Sequence, residues 1–212
     1  MHFKTIATAL AVAGVAAAQN YTQGSAHINM NNIDATVTFA KVDTGVNVTV
    51  AVSKGLTEAF QILPVGFEYH VHVNPVGANN NCTSTGGHLD PANVGAAPCD
   101  PKNLTSCQVG DLSGKHGDLV AVNNSTGAIP TFSYIDTQLA FSGAASLVGR
   151  SVVIHNNGTR VACADIVVEG YSGNSSSTNG TTTTGGSTTS GAAKLVGSVA
   201  LSGLVAAMML VF

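Results

Sequence analysis

The stretch Val46-Asn-Val-Thr-Val-Ala-Val52 places a valine at every second position, so an extended chain here has one apolar face. Ala35-Thr-Val-Thr-Phe39 repeats the alternation. Further along, Glu68 to Val73, Asp118 to Val122, Ser151 to His155 and Val161 to Val168 are short, rich in β-branched residues and bounded by Gly, Pro or Asn. No long helical period occurs outside the two ends of the chain. The pattern predicts an all-β domain, an antiparallel sandwich or barrel. The segment from Val73 to Gly117 is long and irregular, and such loops are usually functional or pinned by bonds.

The ends read differently. Met1 to Ala18 has a weakly basic start, an apolar run and Ala16-Ala-Ala18 before Gln19, the pattern of a secretory signal peptide. Residues 172–191 form a Ser/Thr-rich stalk, thirteen of the twenty being Ser or Thr, which cannot bury enough apolar surface to fold. Residues 192–212 end in the apolar stretch Leu195 to Phe212, and small residues, polar spacer and apolar tail together read as a GPI-attachment signal. Asn179, Gly180, Gly185 and Gly186 are the candidate attachment sites. The folded part is then one domain, residues 19–171.

Nine N-x-Ser/Thr sequons, at Asn20, Asn47, Asn81, Asn103, Asn123, Asn124, Asn157, Asn174 and Asn179, suit a secreted glycoprotein. Four cysteines in such a chain suggest two disulfides, with three pairings open. Without Lys4 and Lys194, six basic residues face eleven acidic ones, a net charge of 6 − 11 = −5. No basic run exists, which argues against nucleic-acid binding, and attraction of an anion must be local.

Among seven histidines, four are placed with purpose. His70 and His72 lie two apart on one strand, so both rings point to one face while Val71 points into the core. His88 sits in a Gly-rich loop, and His155 closes another strand. Converging imidazoles suggest a transition-metal site. His27 lies outside these motifs, and His116, in Gly114-Lys-His-Gly117, reads as part of a turn.

Tyr69-His-Val-His72, Cys82-Thr-Ser-Thr-Gly-Gly-His88, Val109-Gly-Asp-Leu112, Gly149-Arg-Ser-Val-Val-Ile-His155 and Arg160-Val-Ala-Cys163 together resemble the copper/zinc superoxide dismutase family, in order and in nearly all spacings. The resemblance implies a Greek-key β-barrel or sandwich with a long metal-binding loop. It implies one copper per chain, held by His70, His72, His88 and His155, and a Cys82–Cys163 disulfide, which leaves Cys99 to pair with Cys107. It implies that Arg160 guides the superoxide anion and that His88 handles protons as superoxide becomes O2 and H2O2.

Two departures narrow the resemblance. Zinc is normally completed by two further histidines and an aspartate. Only Asp111 survives here: Gln108 stands at one His position, and Gly95-Ala-Ala97 lies where the other is expected. Only Asn156-Asn-Gly-Thr159 separates His155 from Arg160, where zinc-containing members carry a long charged loop. Both features resemble the secreted, GPI-anchored, copper-only fungal enzymes, and imply an extracellular antioxidant protein of the cell surface or wall, without zinc and monomeric. Those enzymes commonly carry Glu where Gln108 stands, so Gln108 and Asp111 are the candidates to orient His88. The competing expectation is a wall protein that binds or scavenges copper with weakened catalysis.

Overall fold

A computed structural model describes residues 19–57, 66–95, 98–122 and 125–172. The chain divides into two units, residues 1–178 and 179–212. The second unit, the expected signal peptide, nearly all of the stalk, the apolar tail, Ala97, and the sequons at Asn123, Asn124, Asn174 and Asn179 lie outside the described residues.

The valine alternation builds the central strand of the larger sheet. Strands β1 (Gln23–Met30), β2 (Ile33–Val42) and β3 (Gly45–Lys54) run as an antiparallel meander. Val46, Val48, Val50 and Val52 of β3 all face the core, at 3% exposure or less. Each such burial contributes about 1.5–3 kcal/mol. Asn31 and Asn32 join β1 to β2 with φ of 52° and 65°, the left-handed pair that a tight hairpin demands and that asparagine tolerates.

After β3 the chain crosses to a second sheet for β4 (Glu68–His72) and returns for β5 (Ile129–Asp136). It crosses again for β6 (Ser151–Asn156) and β7 (Thr159–Asp165), and ends on the first sheet with β8 (Val167–Val168). The orders are β5-β3-β2-β1-β8 and β4-β6-β7, with every pair antiparallel. This is the expected Greek-key sandwich. Phe39, Val37 and Ile28 from one sheet join Tyr69, Val71, Val152 and Ile154 from the other in a single core.

Several local expectations change. Val161 to Val168 is two strands, because the chain leaves one sheet for the other at Ile166, whose N–H bonds Arg150 O at 2.8 Å. Asp118 to Val122 forms no regular strand: Leu119 makes an isolated bridge to Phe67, and Val122 N–H bonds Ala128 O at 3.3 Å. The turn expected at Gly114–Gly117 is one turn of helix, α1 (Leu112–His116), capped by Asp111, whose Oδ1 accepts Gly114 N–H at 2.8 Å. Strands β1 and β5 were not evident in the sequence. The core face of β1 begins with Gly24 and Ala26, too small to signal, and β5 only partly buries Ile129, Phe132 and Tyr134.

Candidate metal centre

One edge of strand β4 pairs with β6, and the other takes two loop segments that complete the site. Val71 N–H bonds Gly110 O at 2.9 Å, Leu89 N–H bonds Val71 O at 2.8 Å, and Gly110 N–H bonds Leu89 O at 2.7 Å. Asp111 is thereby paired with His70, and His88 with His72. The approach requires a glycine at 110: a Cβ there would collide with Val71 O. His155 comes from β6, next to β4, where Glu68 opposes it.

The four imidazoles meet. Their potential ligand atoms lie within 4.8 Å of one another, the only such group of three or more metal-ligating residues among those described. His70, His72 and His155 are buried, and His88 is half-buried. His70 stacks on His88 with ring centroids 3.9 Å apart.

Each ring has a partner on its outer nitrogen. His72 Nδ1 donates to Gly86 O at 2.9 Å, and His155 Nδ1 donates to Gly158 O at 3.2 Å. His88 Nδ1 donates to Gln108 Oε1 at 2.6 Å. His70 uses its other nitrogen: Nε2 faces Ser113 Oγ at 3.1 Å and Asp111 Oδ1 at 3.4 Å. These bonds set the tautomers. They leave bare His70 Nδ1 and Nε2 of His72, His88 and His155. His70 Nδ1 is buried with no hydrogen-bond partner. His72 Nε2 and His155 Nε2 are 3.2 Å apart with no donor between them, a repulsion that a cation relieves.

The electrostatics keep the rings of His72, His88 and His155 neutral, the form that binds a metal. Burial, with smaller contributions from the other histidines and Arg160, pushes His72 down to about 3. Burial and then His70 push His155 down to about 4, and the same two causes lower His88. Four converging imidazole nitrogens, one of them an orphan, fit a copper ion.

Arg160 stands beside the cluster. Its guanidinium donates to Cys82 O at 3.2 Å, Thr83 O at 3.0 Å and Gly86 O at 2.5 Å. All three acceptors are neutral carbonyls, and no ion pair among the described residues involves Arg160, so its charge is uncompensated. Gly86 O also accepts the hydrogen bond from His72 Nδ1, and with φ of 73° that carbonyl is aimed by a glycine.

The Cys82–Cys163 disulfide ties this loop to β7, and Cys99–Cys107 closes the short loop before Gln108. Asp111 meets His70 rather than His88, and also caps α1. Burial pushes its carboxyl up, but the bonds from His70 and Gly114 N–H outweigh that and hold it below the usual range. His27 pairs with Thr36 Oγ1 at 3.1 Å, and His116 with Asp136 at 3.0 Å, both outside the cluster. Arg150 holds Ser146 O and Val73 O.

Other residues of the site carried no sequence signal. Ser113 positions His70 from α1. Glu68 accepts Gly158 N–H at 3.0 Å and so holds the turn whose carbonyl orients His155. Asp90 meets Gln108. Backbone carbonyls as orienting groups leave no trace in residue types.

Residues 33–180 match the family model described as copper/zinc superoxide dismutase. The chain is 37% identical over 156 residues to the cell surface Cu-only superoxide dismutase 5 of Candida albicans, covering 70% of this chain and 61% of that protein. It is 36% identical over 111 residues to a cell surface Cu-only superoxide dismutase of Arthroderma benhamiae, covering 51% of this chain and 30% of that protein. The matches thus span less than two thirds of either relative. Among solved structures, Candida albicans superoxide dismutase 5 with Cu(II) aligns with a TM-score of 0.59 at 30% identity, covering 75% of this chain and all of that one.

Proposed function

From the premise that this chain belongs to the copper/zinc superoxide dismutase family, we propose that it is an extracellular, copper-only superoxide dismutase. The observation that carries the proposal is the set of four inward ring nitrogens, His70 Nδ1 and Nε2 of His72, His88 and His155, each with its outer nitrogen already engaged or, for His70, held by Ser113 and Asp111. These atoms would hold one copper ion. Bound there, copper supplies one-electron cycling between Cu(II) and Cu(I), by which one superoxide leaves as O2 and a second leaves, with two protons, as H2O2.

The protein's own residues do the rest. Arg160 presents a positive charge that no carboxylate among the described residues cancels, in a chain of negative net charge, and so draws an anion to the site. His88 is the half-buried member of the cluster and can exchange a proton at Nε2 while Gln108 retains the proton on Nδ1. The disulfide between Cys82 and Cys163 braces the carbonyls that aim both Arg160 and His72.

The donor chemistry also supports a site without zinc. Zinc favours about four N, S or carboxylate ligands. Beside His88 stands the neutral amide of Gln108, and the Asp111 carboxylate already serves His70 and Gly114. Relatives named as cell-surface proteins support a surface location. Zinc titration of the copper-loaded full chain tests this: one copper, no second metal and an unchanged rate are expected. A bound zinc that raises the rate would overturn the copper-only proposal. Copper bound without turnover would favour a copper-binding wall protein.

A further inference from the structure

Gln108 bridges two groups with opposite demands. Its Oε1 accepts from His88 Nδ1 at 2.6 Å, and its Nε2 donates to Asp90 Oδ2 at 3.3 Å. An amide can turn over and exchange these two atoms at little steric cost, and Gln108 alone would then serve either His88 tautomer. A carboxylate cannot accommodate the exchange, because it only accepts. Turning the amide over would set Gln108 Oε1 against Asp90 Oδ2. It would also present an NH2 group to His88 Nδ1 and drive that ring's proton to Nε2.

Asp90 is itself fixed. Its Oδ1 accepts Val94 N–H at 3.0 Å, its Oδ2 accepts Gly95 N–H at 2.9 Å, and its backbone carbonyl accepts Asn93 N–H at 3.1 Å. The carboxylate is therefore aimed before Gln108 meets it.

We propose that Asp90 is a positioning residue for His88: it sets the amide of Gln108 and, through it, keeps the inward Nε2 of His88 free of a proton. The consequence for copper rests on the metal reading above, but the tautomer does not. The chemistry makes the role conditional. A glutamate at 108 has two acceptor oxygens and would hold His88 Nδ1–H whichever way it turned. Asp90 is needed only while residue 108 is an amide, and beside a glutamate its charge would be a repulsive neighbour.

The test is a double-mutant cycle on the full chain, with two readouts: long-range 1H–15N spectra of the ring nitrogens in the metal-free protein, and copper affinity by chelator competition. In the wild type, His88 should carry its proton on Nδ1. D90A should populate the Nε2–H tautomer and lower copper affinity about 10–100-fold, the usual effect of losing an orienting partner. D90A/Q108E should restore the Nδ1–H tautomer and bind copper at least as tightly as Q108E. Equal loss from D90A in both backgrounds would overturn the proposal and leave Asp90 a holder of the Asn93–Gly95 turn. A wild-type His88 with its proton on Nε2 would overturn it with no variant needed. The expected tautomers in the metal-free protein, together with copper binding but no dismutation of superoxide after loading, would retain the role of Asp90 and reject the dismutase reading.

Discussion

The helix turn that holds His70 is anchored by a buried charge, and Asp136→Asn tests what that anchor is worth. Asp136 is 1% exposed. Its Oδ2 lies 2.6 Å from Lys115 Nζ and 3.0 Å from His116 Nε2, both on α1, and its Oδ1 accepts Gln138 N–H at 2.9 Å. Burial pushes the carboxyl up, but His116 and then Lys115 outweigh it and hold the group at about 2. Against an ordinary value of 3.8, that shift corresponds to about 2 kcal/mol of stability. The folded value is depressed, so this stability is complete above pH ~4 and is lost as pH falls towards ~2.

The Asn variant lacks it at every pH. It also strands the buried Lys115 ammonium, whose protonation burial already disfavours and Asp136 supports. Breaking a buried pair on one side costs about 3–5 kcal/mol, so D136N should lose that much near neutrality. It should also lose the part of the acid limb between pH ~4 and ~2. The assay is urea unfolding of wild type and D136N across that range. A Lys115→Met, Asp136→Leu double variant should recover part of the loss, since it leaves no buried charge alone, although Gln138 N–H, Leu139 N–H and Val109 O lose their partners. Stability of D136N within about 0.5 kcal/mol of wild type, or an unchanged acid limb, would refute the reasoning.

Three further outcomes are expected. His70→Ala or His155→Ala should abolish stoichiometric copper binding, measured as copper per chain after dialysis; full occupancy in either would remove that residue from the ligand set. Arg160→Ala should slow superoxide decay and flatten its dependence on ionic strength, because an uncompensated charge is removed, and an unchanged salt response would show that the guiding charge lies elsewhere. Gly110→Ala should lower thermal stability and copper affinity together, because its Cβ meets Val71 O; a variant indistinguishable from wild type would contradict the close packing of the loop on β4.

What the sequence reveals follows from which interactions use side-chain pattern. The valines of β3 announce their strand because each lands in the core, and the His-x-His spacing announces one face of β4. Strand β1 buries Gly24 and Ala26, and β5 only partly buries Ile129, Phe132 and Tyr134, so neither announces a strong apolar face. The four histidines were legible as a group, but their orientation was not. Gly86 O and Gly158 O do that work for His72 and His155, and a carbonyl is common to every residue type. Asp111 pointed towards His88 by motif, yet the capping of α1 turns it to His70. Asp90 stood two places past His88 without any pattern to mark it, because its role depends on a loop that folds back at Val94 and Gly95.

The central claim is that this chain turns over superoxide with copper alone and with a neutral glutamine behind His88. Pulse-generated superoxide decay, followed on the copper-loaded, zinc-free full chain from acid to alkaline pH, tests it most directly. The predicted result is a second-order rate approaching the diffusional ceiling of about 10⁸–10⁹ M⁻¹ s⁻¹ near neutrality. Slow or absent decay with copper still bound one per chain would contradict the claim.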